Sequence, residues 1–366
     1  MELQKQDIIR LRLYKSGIIE PFKNIEQCLT YLFGIQSQAQ QFGEISIFNR
    51  VGKLKLKDLK NAYNRHDIIK IWGQRMTVHM YWKDDWKTIH QVYAHRDNFV
   101  KRGWADNQDV FEKILAELET SILEKKVSKN EIVTLIEQAA SHITNTYRDY
   151  SILLQATLDG ILFGIPEMPQ TKYFAHRSVC IDDDDYILWG SDKEKALEYL
   201  LMVYFSNYGP ATIADFCHWS GLTKREIQDP FNKIKNRLDL FSHKRKIYYL
   251  PQNDIHLKEL DKEKNTKFVK LLGKFDPLFV SFSDKSWIVD AEQQKAIWRS
   301  AGHVEAILLI GNDVAGTWRY RMNGKNMDFT IFSFRRILKN EQKLIEREAS
   351  KIAKFLSRTI NKIDYH

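Results

Sequence analysis

The chain has 366 residues, 43% hydrophobic and 28% charged, so it can bury ordinary globular cores and needs no disulfide framework. Its three cysteines (Cys28, Cys180, Cys217) include no C-x-x-C pair, and no run approaches the roughly 18 uncharged apolar residues of a membrane span, which argues against a zinc site or a bilayer segment. The net charge of +9 and pI of about 9.1 suit a polyanionic partner, most simply nucleic acid, although a generically basic protein has the same balance.

Helical periodicity opens the chain, with Ile8, Ile9, Leu11, Leu13 and Tyr14 in one block. The charged, amphipathic N-terminus lacks a signal-peptide apolar core, so a cytoplasmic, nucleoid-associated protein is expected. A second helix is predicted over Asn24 to Phe33. The segment "GIQSQAQQF" follows, and then "EISIFNRV" and "LKDLKNAYNR" read as helices. "IIKIWGQRMTVHMYW" is rich in β-branched and aromatic residues around Gly73, a strand–turn–strand pattern. Helices followed by a hairpin is the order of a winged helix-turn-helix.

That order recurs. "SKNEIVTLIEQAA" has Ser128 and Glu131 at capping-box spacing, "YSILLQATLDGILFG" runs from helix into strand, and "TKYFAHRSV" closes a second hairpin. A third copy comprises a helix ending near Gly209-Pro210, a short helix stopped by Gly221, a helix capped by Thr223 and Glu226, and the basic hairpin "DLFSHKRKIYYLP". From about Asn265 the pattern turns to β, with turns at Gly311-Asn312-Asp313 and Asn323-Gly324, before an amphipathic helix ends the chain. The expected fold is therefore α+β and mainly helical. Three tandem winged-helix units (1–105, 106–190, 191–262) precede a β-rich segment (263–338) and a C-terminal helix (339–366). The units share architecture, with little residue identity between them.

At this point five short motifs resemble one family, in that family's order. "GIQSQ", "RMTVHM", "YGPATIADFCHWSGL", "LLGKFDPLFVSFSDKSW" and "VAGTWR" are similar to segments of the winged-helix proteins related to the AlkZ and YcaQ DNA glycosylases, and they span about nine-tenths of the chain. The resemblance implies three winged helices around a DNA-binding concavity. It also implies excision of N7-alkylated purines, including unhooking of some interstrand crosslinks. Its catalytic Q-x-Q or Q-x-D stretch falls on Gln36 and Gln38. The middle position is usually aliphatic in the family and is Ser37 here. An inward-facing Ser37 would loosen the placement of both glutamines.

The residues themselves allow that chemistry. Gln36 and Gln38 diverge by about 200° on a helix but share a side on an extended segment. An amide does not titrate, so neither is a conventional general base. An N7-alkylguanine carries positive charge and leaves as a neutral base. The remaining work is to stabilise an oxocarbenium-like sugar and to position water, which oriented amide oxygens can do. The plain alternative is helix-end capping or solvent. For Gln40 and Gln41 a solvated first helical turn is expected.

Arg75, Thr77 and His79 alternate along the predicted first wing. They read equally as a phosphate clamp or as a buried polar ladder bracing the glutamine loop. Lys224, Arg225 and Lys233 on the third unit's recognition helix, with Lys244, Arg245 and Lys246 on its wing, suit backbone phosphates, as does any solvated basic surface. Arg319, Arg321 and Lys325 lie near the Asn323-Gly324 tip, where they suit probing a groove. Tyr208, Gly209, Pro210 and Trp219 read as fold determinants, Asp276-Pro277 as a turn, Trp72 as core and Asp182 to Asp185 as a solvated acidic turn. No phosphate loop or metal motif occurs, so no cofactor is expected. With no lysine in the glutamine stretch, hydrolysis by water is expected. The expected protein is a monomeric, monofunctional DNA glycosylase acting on double-stranded DNA with alkylated bases. The competing reading is a winged-helix DNA-binding protein without catalysis.

Overall fold

Residues up to Leu59 fold together with Leu201–His366, and Lys60–Leu200 form a second unit. The computed structural model describes residues 2–96, 102–123, 125–141, 143, 148–167, 170–181, 192–260 and 268–366. The acidic run Asp182 to Asp185 lies outside the described residues.

In the first unit, helices α1 (Lys5–Lys15) and α2 (Ile25–Leu32) lead to a two-residue strand β1 (Ile35–Gln36) and to α3 (Gln40–Arg50). Helix α4 (Leu56–Asn64) carries the chain into the second unit. That unit contains β2 (Ile68–Trp72), β3 (Val78–Trp82), α5 (Trp86–Ile89), α6 (Gln108–Ile122), β4 (Val127–Ser128), α7 (Lys129–Ala140), α8 (Arg148–Leu158), β5 (Phe163–Ile165) and β6 (Tyr173–Ala175). Its strands are ordered β3-β2-β5-β6-β4, and its core joins Ile114, Leu118, Ile132, Ile136 and Ile152 from three helices. The predicted capping box is present: the Ser128 hydroxyl accepts from the Glu131 amide, and the Glu131 carboxylate accepts from the Ser128 amide. Such caps contribute about 1 kcal/mol each.

Helix α9 (Lys193–Tyr208) returns the chain to the first unit, followed by α10 (Ile213–Ser220), α11 (Lys224–Ile234) and the hairpin β7 (Leu238–His243) and β8 (Lys246–Pro251). Thr212 caps α10, with Asp215 completing the box; Gly221 ends it at φ 76°, and Thr223 with Glu226 starts α11. Helices precede hairpins at β2/β3, β5/β6 and β7/β8. The third hairpin packs on α1, where Leu3, Ile8 and Leu11 meet Phe241, Tyr248 and Leu250.

The rest of the first unit contains β9 (Val269–Leu272), α12 (Pro277–Val280), α13 (Ala291–Ile297), β10 (Ala306–Ile310), β11 (Asp313–Asn323), β12 (Asn326–Ser333), α14 (Lys339–Phe355) and β13 (Thr359–Tyr365). These strands form one sheet, ordered β13-β12-β11-β10-β9. Glycines at positive φ, Gly311 and Gly324, sit in its two-residue turns, as the turn signals indicate. The chain's end differs from expectation. The terminal helix stops at Phe355, Ser357 turns the backbone at φ 56°, and residues 359–365 form a strand parallel to β12. The open edge of β12 supplies hydrogen-bond partners that the local pattern does not reveal. Helix α14 buries Ile345, Ala349, Ile352 and Ala353, its i, i+4, i+7, i+8 stripe, and packs against β9 and α3. No described helix is long and apolar enough to cross a membrane.

Candidate active site

Two left-handed residues reverse the chain after α2, Phe33 at φ 50° and Gly34 at φ 86°. Phe33 takes a conformation that costs a non-glycine residue about 1 kcal/mol or more. It is fully buried, with its ring 6.1 Å from that of Trp219. The chain is extended at Ile35–Gln36 and bends at Gln38 and Ala39 before α3. Ile35 and Ser37 are both 0% exposed, while Gln36 and Gln38 take the alternate positions. The Gln36 Nε2 donates to Gln38 Oε1 at 3.0 Å. The extended spacing does bring the two amides together. Gln36 is buried and Gln38 is exposed, so one amide is fixed in the protein and the other meets solvent. The Gln38 oxygen has two lone pairs, so it can accept from a water as well as from Gln36.

The sequence motifs converge on this stretch. The Tyr208 hydroxyl donates to the Leu32 carbonyl at 2.7 Å, fixing the end of α2. The Trp219 ring packs, tilted, against Phe33 and against Tyr204 and Tyr208. At the far end of α3, Arg50 and Asp276, both 0% exposed on their side chains, form a two-pronged ion pair at 2.6 and 2.8 Å. Asp276 also accepts from the Ser46 hydroxyl and the Leu278 amide, so it caps α12 while anchoring α3. Its role is wider than the expected turn. The glycine of "LLGKF" permits close approach: a Cβ on Gly273 would lie 2.5 Å from the Phe42 carbonyl.

The first turn of α3 is not solvated. Gln40 is 4% exposed, and its Nε2 donates to the buried Glu44 carboxylate at 3.0 Å. Gln41 accepts from the Tyr320 hydroxyl, and Phe42 packs on Trp318 and Tyr320 with centroids 5.9 and 5.2 Å apart. The helix pattern alone could not show that β11 covers this turn.

The sequence profile described as DNA glycosylase AlkZ-like matches residues 29–355 of the chain. The chain belongs to the AlkZ-like DNA glycosylases. A curated relative, the "Interstrand DNA cross-link repair glycosylase" of Streptomyces sahachiroi, is 22% identical over 338 residues, covering 88% of each chain. The solved structure of Streptomyces sahachiroi DNA glycosylase AlkZ superposes with a TM-score of 0.80 over 100% of both chains, at 18% identity; that likeness is one of fold.

The other predicted residues of this AlkZ-like chain lie as follows. Arg75 does not alternate with Thr77 and His79 along a strand. It sits in a tight turn at φ 54°, and β3 begins only at Val78, so the shared-side argument fails. The Thr77 hydroxyl donates to the Gln74 carbonyl at 3.1 Å. His79 is 4% exposed, with Nδ1 2.8 Å from the Thr77 carbonyl. Burial and then the Arg75 charge push its pKa down to about 3, which leaves it neutral at working pH. Both contacts are local, made to backbone carbonyls of the same turn. Trp72 packs on that unit's core and meets Tyr150 edge-on.

Lys224, Arg225 and Lys233 are exposed on α11, and Lys244 and Arg245 form the exposed β7/β8 turn, both at positive φ. Lys246 is committed elsewhere, to Asp284 at 2.6 Å. Arg319 and Arg321 project from one side of β11, and Lys325 occupies the tip, but Arg319 is bound to Glu305 at 2.8 Å. Lys274 and Arg299 lie 3.4 and 3.5 Å from the same carboxylate.

Sequence reasoning named Arg319 and Arg321 but missed Tyr320 between them. Strand alternation was the available signal, since Trp318 and Tyr320 must face the opposite way. Burial, and then the Glu44 charge, push the Tyr320 pKa up to about 12, so its hydroxyl remains a donor. Tyr320→Phe is expected to slow excision by about tenfold or less with unchanged DNA affinity, the loss of roughly one hydrogen bond. Single-turnover kinetics beside a binding titration check it. The buried Ser37 hydroxyl has no hydrogen-bond partner among the described residues. Such an orphan costs about 1–3 kcal/mol. Ser37→Ala is therefore expected to raise the melting temperature without lowering the excision rate; a lower melting temperature would show that the hydroxyl is satisfied.

Proposed function

We propose that this DNA glycosylase hydrolyses the N-glycosidic bond of cationic N7-alkylpurines in double-stranded DNA, with Gln36 and Gln38 as the residues that touch the reacting sugar and water. The observation that carries this reading is the 3.0 Å contact between the two amides on an extended stretch, one buried and one exposed. The C1′–N9 bond breaks with its electron pair going to the base, which neutralises the alkylated ring. Base departure therefore needs no general acid. The amide oxygens oppose the positive charge left on the sugar and hold the water that adds to C1′. That water's proton passes to solvent, because an amide cannot keep it. The relative named for cross-link repair supports extending the substrate to crosslinks through N7, where each unhooking is the same cleavage.

The three helix–hairpin runs fit winged helices that hold the duplex. Lys224, Arg225, Lys233, Lys244 and Arg245 are exposed cations suited to its phosphates. The decisive experiment is release of free N7-methylguanine from methylated duplex by the purified protein with metal chelated. Release supports the reading. Tight binding of the same duplex with no release overturns it and leaves a DNA-binding protein.

A further inference from the structure

The glutamines precede the N-terminal end of α3, and a groove of about 570 Å³ opens at the helix's other end. Eleven residues of helix place the two roughly 16 Å apart. Lysines from three separate elements line the groove: Lys53 and Lys55 follow α3, Lys270 belongs to β9, and Lys351 and Lys354 belong to α14. The one carboxylate among them, Glu348, is paired with Lys351. All but Lys270 of these lysines are exposed. Lys270 is drawn in, donating to the Asn49 carbonyl at 3.2 Å, and burial lowers its pKa. Five ammonium groups and one carboxylate give the groove a net positive charge.

A buried polar side chain sits beside these lysines. Asn49 lines the groove and is 3% exposed. Its Nδ2 donates to the Leu271 carbonyl at 2.9 Å, while its Oδ1 has no hydrogen-bond partner among the described residues. The floor is firm: Phe48 and Phe355 stack with centroids 4.5 Å apart, fixing α3 to α14. An array of spaced ammonium groups on a rigid base suits a row of phosphates better than one small ion.

We propose that this groove binds backbone phosphates of the substrate duplex, about 16 Å from the reacting base. The proposal rests on the DNA reading above and deepens it. It is tested on Lys53→Ala/Lys354→Ala protein, beside a charge-matched Lys258→Ala/Lys295→Ala control, both at exposed positions. Affinity for undamaged and methylated duplex is measured by fluorescence anisotropy across salt concentrations. The groove variant should bind about tenfold or more weakly, with the slope of log affinity against log salt reduced by about 2 for two lost phosphate contacts. The control should match wild type, and single-turnover excision at saturating DNA should be unchanged. On a duplex trimmed to fewer than about 4 base pairs on each side of the lesion, variant and wild type should converge, because 16 Å spans about 5 base pairs. A groove variant with wild-type or control-like affinity and slope overturns the proposal, as does a loss that persists on the trimmed duplex. Binding is scored whether or not a base is released, so failure of the groove and failure of the glycosylase reading are separately visible.

Discussion

The Gln38→Ala protein is expected to bind methylated duplex normally and to release N7-methylguanine about 10²–10³-fold more slowly at saturating DNA, the loss typical of one preorganised dipole at a charged transition state. Gln38 is the exposed member of the pair, so its removal takes away the amide nearest solvent while the buried scaffold stays intact. Gln36→Ala should lose a similar factor by another route, because the Gln36 amide holds Gln38 at 3.0 Å. Residues that act as a unit are not additive, so the double variant should be little slower than the slower single variant. Single-turnover kinetics with an independent binding titration separate the step from affinity. Full activity in both single variants sinks the assignment. The substrate preference follows from the same chemistry. With no carboxylic acid proposed to protonate a leaving base, neutral bases in duplex DNA should not be released at a measurable rate.

The largest expected loss of stability comes from Asp276→Ala. Arg50 and Asp276 are sealed from solvent, joined by two charge-assisted hydrogen bonds, and Arg50 also donates to the Ser16 and Ser46 carbonyls. Removing the carboxylate strands a buried guanidinium, which costs about 3–5 kcal/mol. The variant should melt at markedly lower temperature in a thermal-denaturation scan. Asp276→Asn keeps the Leu278 cap and part of the Arg50 contact, so it should fall between. Wild-type stability for Asp276→Ala would mean that the pair is not a structural anchor. Because this pair fixes the far end of α3, partial unfolding there should also weaken excision without any change at the glutamines.

Much of the architecture was legible in the sequence because it is set by local rules. The boxes at Ser128/Glu131 and Thr223/Glu226, the stop at Gly221, and the turns at Gly311 and Gly324 each follow from a few neighbouring residues and their backbone preferences. The side-by-side placement of Gln36 and Gln38 was also legible, because period-two geometry depends only on the segment being extended. The five ordered motifs pointed to the family that the profile match then showed.

What local pattern could not supply was which distant element covers which surface. Gln41 looks solvated until β11, about 280 residues later, sets Tyr320 against it, and Gln40 is buried with Glu44. Arg319 and Lys246 look like free cations until folding sets Glu305 and Asp284 beside them. Asp276-Pro277 looks like a turn until Arg50 arrives from another part of the chain. The sequence by itself determined the helix caps, the turns and the basic charge, and allowed the paired amides, because each rests on backbone geometry or composition within a few residues. Only the tertiary structure decided burial and ion pairing, and with them the cradle around the glutamines, because these depend on contacts between segments far apart in the chain.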